Sequence, residues 1–132
     1  MSNQGVTAFS TNTRLGYSQA VRLGDLLFIS GQVAWDAGGE VVGVGDPKAQ
    51  AEKAFANLRG VLEQSGSSLD RVGKIVLLAT SRDYLPALRE VRHRVFGATG
   101  HYPAATFAVV DGLAAPDLLV EIEAVALVNE AH

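Results

Sequence analysis

Two carboxylates alternate along the last apolar segment of the chain, at Glu121 and Glu123. Because side chains along a strand have a period of two, both carboxylates lie on one face and Val120, Ile122 and Ala124 on the other. A carboxylate held in a cleft can take a proton from water as the water attacks an electrophilic carbon. A solvated strand carboxylate is the ordinary alternative, and the residues alone favour it at both positions.

Other combinations of reactive side chains lack support. The chain has no cysteine, which excludes disulfides, thiolate metal sites and cysteine nucleophiles. His93 and His101 are not spaced as a metal pair with a nearby third ligand, so we expect no metal site. Gly43 and Gly45 lack the third glycine and the strand-to-helix context of a dinucleotide-binding loop. No motif around the serines indicates a nucleophilic triad.

The bulk composition is typical of a small folded domain. A chain of 132 residues fits one domain (1–132), and 48% hydrophobic against 19% charged residues allows a buried core. The formal net charge is −3 and there is no basic run, so the sequence lacks the basic patch that is typical of nucleic-acid-binding proteins. Neither a secretory signal nor a membrane span of about 20 apolar residues is found. We therefore expect a cytoplasmic protein that binds neither nucleic acid nor membrane.

Six segments carry the apolar and β-branched pattern of strands. They are residues 14–22, 26–33, 40–44, 72–80, 105–110 and 118–128. The run 26–33 is apolar without alternation, which predicts burial on both faces, and a turn at 36–39 joins it to the return strand 40–44. Residues 1–13 are expected to form an irregular or edge-strand N-terminus.

Two segments have helical periodicity and recognisable ends. Asp46 is the predicted N-cap of the first helix, with Pro47 at its first position and Gly66 at the left-handed position after its end. Asp83 is predicted to cap a second helix that runs to about Phe96.

The order of these elements predicts an α+β fold. Two helices cannot cover both faces of a sheet of five or six strands, so the economical packing puts both on one face. The apolar residues of the other face then predict either a partner subunit or an exposed apolar patch.

Five segments together resemble the reactive-intermediate deaminase (Rid, or YjgF-type) family. They read YSQAV (17–21), FISGQ (28–32), QAEKAFANLR (50–59), YPA (102–104) and EIEAVA (121–126). Each segment is weak evidence alone, but all five occur in the family's order and spacing, with almost no gaps from residue 17 to residue 128.

The resemblance implies a chorismate-mutase-like fold, with one mixed sheet and two helices packed on one face. It also implies a homotrimer in which three sheets form a central barrel and small-molecule clefts lie between neighbouring subunits. Members of the family hydrolyse reactive enamines and imines made by pyridoxal-phosphate enzymes, releasing ammonia and a keto acid. They need no metal or organic cofactor, so the resemblance implies none here.

By this resemblance, seven positions face the ligand. They are Tyr17, Ser30, Gly31, Arg89, Ala105, Thr106 and Glu121. For Glu121, the family resemblance favours a catalytic role over a solvated strand carboxylate. We predict that Glu121 is the catalytic residue that holds the attacking water. Ser30 and Gly31 could offer a hydroxyl and an N–H to the ligand, although a serine on a buried strand more often bonds to the backbone. Tyr17 could close the cleft with its ring, or be an interface aromatic.

Ala105 departs from the family pattern. The active deaminases that the chain resembles have arginine after Pro-Ala, whereas this chain reads Pro103-Ala104-Ala105-Thr106. A guanidinium binds a carboxylate through two parallel hydrogen bonds, which alanine cannot replace. The usual 2-imino acids should therefore bind poorly, since a carboxylate left unpaired in a partly buried cleft is unfavourable.

Arg89 is the first candidate to replace the missing charge, and Arg92 the second. Arg89 falls where many relatives have asparagine, and it shares one helix face with Arg92 and His93. The alternative is a solvated basic face that pairs with Glu90 and a neighbouring subunit.

The sequence therefore favours a homotrimer that hydrolyses an enamine or imine other than the standard 2-imino acids. A non-catalytic small-molecule-binding or regulatory trimer is the alternative hypothesis. Ribonuclease activity, with which the family is sometimes labelled, is disfavoured by the acidic net charge.

Overall fold

The computed structural model describes residues 5–129 of the chain. Its strands are β1 (Val6–Asn12), β2 (Tyr17–Leu23), β3 (Leu26–Gln32), β4 (Val72–Ala79), β5 (Ala104–Val109) and β6 (Val120–Leu127). Its helices are α1 (Pro47–Gln64) and α2 (Leu85–Gly97), with short 3-10 turns at Leu69–Arg71 and Arg82–Tyr84.

The six strands form one mixed sheet in the order β1-β2-β3-β6-β4-β5. The pair β4–β5 is parallel, and the other four neighbouring pairs are antiparallel. Helices α1 and α2 pack against each other, and α1 also packs on β3 and β6. The predicted α+β fold is confirmed.

One face of the sheet, called here the helix face, carries the core. Alternate residues of β6 point to it, and Val120, Ile122 and Ala124 are at most 4% exposed. Phe55 and Leu58 of α1 lie in the same core. The helices therefore cover the face to which the even-numbered residues of β6 point.

The opposite face, called here the open face, is covered by no helix of residues 5–129 and retains apolar side chains. Leu26, Phe28 and Leu127 are 40–44% exposed there. The prediction that β3 is buried on both faces is therefore wrong within one subunit, because only Leu27 and Ile29 of this strand reach the core. The apolar surface expected on the uncovered face is present.

The ends of α1 follow the sequence prediction. The Asp46 carboxylate accepts a hydrogen bond from the backbone N–H of Ala49 at 3.1 Å, which satisfies one of the unpaired donors of the first turn. Pro47 begins the helix, and Gly66 has a φ of 83°, the left-handed conformation expected after its end.

The predicted return strand at residues 40–44 is wrong. Only an isolated bridge joins Trp35 and Val41. The Asp36 carboxylate accepts from the backbone of Gly38 and Glu40, which closes the turn locally. Gly43 then has a φ of 77°, outside the extended region, so the chain cannot continue as a strand.

The second helix starts differently from the prediction. Asp83 does not cap it. Instead the hydroxyl of Ser81 accepts from the Asp83 N–H and caps a 3-10 turn, and α2 begins at Leu85. Near the N-terminus, the segment predicted to be irregular or an edge strand contains β1, an edge strand that pairs with β2, while residues 1–4 lie outside the described chain.

Neither helix within residues 5–129 has the length and apolar character needed to cross a membrane.

Candidate functional site

A β-bulge in β3 shapes the site around Glu121. Ile29 pairs with Ala124 and Gln32 with Ile122, so Ser30 and Gly31 together lie opposite the single residue Glu123. A bulge of this kind bends the strand and redirects side chains, and bulges are frequent beside active sites. The bulge places Ser30 and Gly31 next to the two carboxylates of β6.

Gly31 provides the space that the Glu121 carboxyl group occupies. A Cβ atom built on Gly31 would lie 2.5 Å from Cδ of Glu121 and 2.8 Å from each carboxyl oxygen. Real Cβ atoms do not approach other atoms so closely. Glu121 therefore lies directly against the backbone of β3, and any side chain at position 31 would displace it.

Burial raises the pKa of Glu121 above its usual value of 4.5, and the nearby charge of Glu123 raises it further. Desolvation favours the neutral carboxyl group, and a like charge acts in the same direction. A carboxylate with a raised pKa is a stronger base, which suits it to accept a proton from water near neutral pH. Glu121 is partly buried, whereas Glu123 is exposed.

Ser30 lines a cavity of about 320 Å³ on the open face, called here the sheet cavity. Other residues that line it include Val21, Phe28, Lys74, Val76, Glu123 and Val125. The Ser30 hydroxyl donates to the backbone carbonyl of Ser18 at 2.6 Å, the backbone role considered as the alternative. Its oxygen keeps free capacity to accept a hydrogen bond from a ligand.

Tyr17 lines a second cavity of about 440 Å³, called here the helix cavity, between the end of β3 and α1. Gly31, Gln32, Trp35 and Asn57 line the same cavity. Within one subunit, Tyr17 and Ser30 thus face different cavities, and Gly31 lies at the border between the helix cavity and the Glu121 carboxyl group.

Ala105 and Thr106 point to opposite faces of the edge strand β5. Ala105 pairs in parallel register with the buried Ile75 and so shares the helix face, whereas Thr106 pairs with Val76 on the open face. The Thr106 hydroxyl accepts a hydrogen bond from Nζ of Lys74 at 2.6 Å. Of these two neighbouring positions, only Thr106 shares the face of Glu121 within one subunit.

Arg89 and Arg92 lie on α2, on the other side of the sheet from the Glu121 side chain. Arg89 is exposed and Arg92 is partly buried. The ion pairs found for α2 within residues 5–129 join Glu90 to Lys48 and Arg94 to Glu52, and do not include Arg89 or Arg92. One subunit therefore does not bring either arginine to Glu121.

Lys74 is a charged residue of this region that belongs to none of the sequence motifs named above. It lines the sheet cavity, and a lysine inside the apolar strand Val72–Ala79 was the signal that could have revealed it. The alternation of side chains along this strand does not show which face of the sheet Lys74 lies on, because the register shifts between Val72 and Lys74. Among residues 5–129, no cluster of histidine, aspartate and glutamate has the geometry to hold a metal ion.

Comparison with known proteins gives consistent relatives over most of the chain. The family model described as "Endoribonuclease L-PSP" matches residues 8–128. A RutC family protein of Pyrococcus abyssi is 34% identical over 111 residues, covering 83% of this chain and 84% of the relative. A protein of Dermatophagoides farinae named 2-iminobutanoate/2-iminopropanoate deaminase is 29% identical, covering 86% of each chain.

Solved structures match the whole fold. A member of the YjgF/YER057c/UK114 family from Mycobacterium tuberculosis is 31% identical, with a TM-score of 0.78 over 93% of this chain and 99% of the other. Yeast Mmf1 is 26% identical, with a TM-score of 0.85 over 94% of this chain and 99% of the other. The chain therefore belongs to the endoribonuclease L-PSP family, which includes the YjgF and RutC proteins.

Proposed function

We propose that this protein hydrolyses a reactive enamine or imine, with Glu121 as the catalytic base, on a substrate other than the standard 2-imino acids. The observation that carries the proposal is the Glu121 carboxyl group, which lies against Gly31 with a raised pKa. A carboxylate in such a place combines the two requirements of hydrolysis, a fixed position for water and a basic group beside it.

The reaction converts an imine and water into a carbonyl compound and ammonia. Glu121 removes a proton from water as the water oxygen bonds to the imine carbon. That proton passes to nitrogen, which gives a carbinolamine. Glu121 then takes the hydroxyl proton of the carbinolamine and passes it to nitrogen, so the carbonyl group forms as the carbon–nitrogen bond breaks and ammonia leaves. An enamine first takes a proton on carbon, which the protonated form of Glu121 can supply because its pKa is raised.

The named activity of the Dermatophagoides farinae relative supports the reaction class. The substrate is proposed to differ because Ala105 offers no charged group to a substrate carboxylate. Tyr17, Ser30, Gly31 and Thr106 are proposed to contact the ligand, in clefts that a second subunit completes. Arg89, and after it Arg92, would have to reach a neighbouring subunit's cleft to replace the missing charge. We propose a cytoplasmic homotrimer without a cofactor.

Ammonia release from freshly generated imines and enamines tests this proposal. The panel contains imines of neutral, acidic and basic amino acids, and compares the wild type with Glu121→Gln and Ala105→Arg. We expect wild-type activity on part of the panel and a loss of roughly 100-fold or more in Glu121→Gln, the effect typical of removing a general base. Arg89→Met should weaken only anionic substrates if Arg89 replaces the missing charge.

The alternative is a small-molecule-binding trimer without catalysis. It predicts a silent wild type, with Glu121→Gln changing ligand affinity but no rate. Activity that appears only in Ala105→Arg would favour this alternative, because the scaffold would then be competent but directed to another ligand. RNA cleavage is measured on the same samples, and cleavage that survives purification and depends on Glu121 would contradict the proposal.

A further inference from the structure

The bulge in β3 interrupts the pairing of this strand with β2. The ladder between the two strands ends where Ile29 pairs with Ala20, immediately before the bulged residues Ser30 and Gly31. A bulge leaves an extra residue unpaired and disrupts the ladder locally. On the side of β2, the position of Gly31 against Glu121 is therefore held by contacts other than ladder hydrogen bonds.

Side-chain hydrogen bonds take the place of the ladder. The hydroxyl of Ser30 donates to the backbone carbonyl of Ser18 at 2.6 Å. The side-chain nitrogen Nε2 of Gln32 donates to Oε1 of Gln19 at 2.8 Å and to the backbone carbonyl of Ser30 at 3.1 Å. An amide nitrogen has two N–H donors, so Gln32 uses both. One joins β3 to β2, and the other spans the bulge.

The hydrogen bond across the bulge acts directly on the peptide unit of Gly31. The carbonyl of Ser30 and the N–H of Gly31 belong to one planar peptide group. A donor fixed on that carbonyl therefore fixes the orientation of the whole group, and with it the backbone against which the Glu121 carboxyl group lies.

The amide of Gln32 is shielded from water. Its side chain is one of the few polar ones in the core, with only 6% of the residue exposed. Buried hydrogen bonds are not readily exchanged for water, and losing one partner leaves the other group unsatisfied. The bulge is thus held in one arrangement and not merely decorated by a surface amide.

We propose that Gln32 is a positioning residue, which holds the bulge of β3 closed and so keeps Gly31 against the carboxyl group of Glu121. Its effect on rate rests on the proposed hydrolysis. Its effect on the surroundings of the Glu121 carboxyl group does not, so the two can fail separately.

Gln32→Met tests the proposal, because methionine is similar in length and has no N–H donor. NMR titration of the Glu121 carboxyl carbon in the intact protein, assigned by its loss in Glu121→Gln, measures the pKa without any substrate. We expect this pKa to fall toward 4.5 in Gln32→Met, since a carboxyl group released from Gly31 gains water while Glu123 is unchanged. A pKa equal to that of the wild type would overturn the proposal.

The rate provides the second measurement. On the imine that the wild type hydrolyses fastest, kcat of Gln32→Met should fall about tenfold or more, because a small displacement of the base is costly. A wild-type kcat in this variant would overturn the positioning role. A wild type without activity on any imine would instead refute the proposed hydrolysis, and the carboxyl titration would still decide the role of Gln32.

Ser67→Ala is the matched control for loss of a buried hydrogen bond. Ser67 is 4% exposed, and its hydroxyl donates to the carbonyl of Leu127, at the other end of β6 from Glu121. This variant should unfold at a lower temperature than the wild type and keep the Glu121 pKa and the rate. An equal fall of the pKa in Ser67→Ala and Gln32→Met would refute a specific role of the bulge.

Gln19→Met tests the link to β2. It removes the acceptor of one Gln32 hydrogen bond and leaves the bond across the bulge, so the pKa of Glu121 should fall less than in Gln32→Met. Adding Gln19→Met to Gln32→Met should cause no further fall, because the same hydrogen bond is already lost. Additive falls would contradict the proposed connection.

Discussion

At the scale of the residue, the Glu121 carboxyl group occupies the space next to Gly31 that the Cβ atom of any other residue at position 31 would need. The carboxyl group of Glu121 lies where a Cβ of residue 31 would be. Gly31 has no left-handed φ, so the requirement for glycine here is one of space and not of backbone conformation. The position of the proposed catalytic base thus depends on a residue without a side chain.

Gly31→Ala should reduce hydrolysis strongly while changing stability little. The atoms that clash belong to the end of a flexible side chain, which can move aside at small cost in folding free energy. A displacement of about 1 Å from the productive position can reduce a rate by about 100-fold. Rate measurements on imines and thermal unfolding would test both parts.

Gly112→Ala is the matched control for this substitution. Gly112 is exposed between β5 and β6, has no left-handed φ, and nothing lies within 4 Å of an added Cβ. The change should increase the free energy of unfolding by about 0.4–1 kcal/mol, because alanine restricts the unfolded chain more than glycine does, and leave the rate unchanged. A Gly31→Ala enzyme as active as the Gly112→Ala enzyme would show that the close contact is irrelevant to catalysis.

The rate of hydrolysis should rise with pH through the raised pKa of Glu121. The base acts in its ionised form, so the acidic limb of the rate profile should lie above pH 4.5. Glu123→Gln removes one of the two causes and should move this limb to lower pH, whereas desolvation keeps it above 4.5. An acidic limb unaffected by Glu123→Gln would contradict the coupling of the two carboxylates.

The same shift affects stability with a defined sign. A raised pKa means that the folded protein favours protonated Glu121, so its contribution is present below pH 4.5 and is lost as the pH rises through the raised pKa. Wild-type stability should therefore fall relative to Glu121→Gln over this interval. Urea unfolding of both proteins at a series of pH values measures the difference in their free energies of unfolding. A wild type that gains stability relative to Glu121→Gln as the pH rises would refute the prediction.

At the scale of the element, the N-cap of α1 and the bulge in β3 determine where the helix and the strand beside Glu121 lie. Asp46 caps α1, which packs on β3 and β6. The buried side chain of Gln50 then accepts from the N–H of Leu119 and donates to the carbonyls of Gly43 and Asp117. Helix α1 thus holds the loop before it and the segment that leads into β6.

Asp46→Ala should reduce the free energy of unfolding by about 1 kcal/mol, the usual effect of losing an N-cap. Asp83→Ala is the control, because the cap of the neighbouring 3-10 turn is Ser81 and Asp83 contributes only its backbone N–H. Chemical denaturation should show the loss in the first variant and almost none in the second. Equal losses would contradict the assignment of the caps.

At the scale of the whole molecule, the open face raises the question of assembly. Leu23 pairs with Leu26, and Leu26 with Leu127, so three exposed leucines form a row across neighbouring strands. A row of this kind on a single subunit indicates a protein–protein contact. It lies at the opposite end of β3 from Gly31, so its loss need not disturb the proposed catalytic base.

Sedimentation should give three times the 13.9 kDa mass of one chain if the proposed homotrimer exists. Leu127→Arg should shift this mass toward the monomer, because a buried charge in an apolar contact lacks a partner. Val44→Arg is the control, since Val44 is 64% exposed and lies outside the strands. A wild type that sediments as one chain would refute the trimer.

Much of the architecture could be predicted from local sequence signals. Asp46, Pro47 and Gly66 predicted the ends of α1 because capping depends on residues within one turn. The alternation of Glu121 and Glu123 with apolar residues predicted a strand with one buried face. The family and the α+β fold also followed from motifs in the right order, and the matching family model and structures confirm them.

The site itself was decided by contacts between distant segments. The bulge at Ser30 and Gly31 exists only relative to β6, about ninety residues later in the chain, so no local pattern reveals it. The same holds for Lys74, whose face depends on a register shift, and for residues 40–44, where side-chain capping and glycine conformation outweighed an apolar pattern. Sequence determined the elements because their signals are local, and tertiary structure decided the site because register sets which face each side chain occupies.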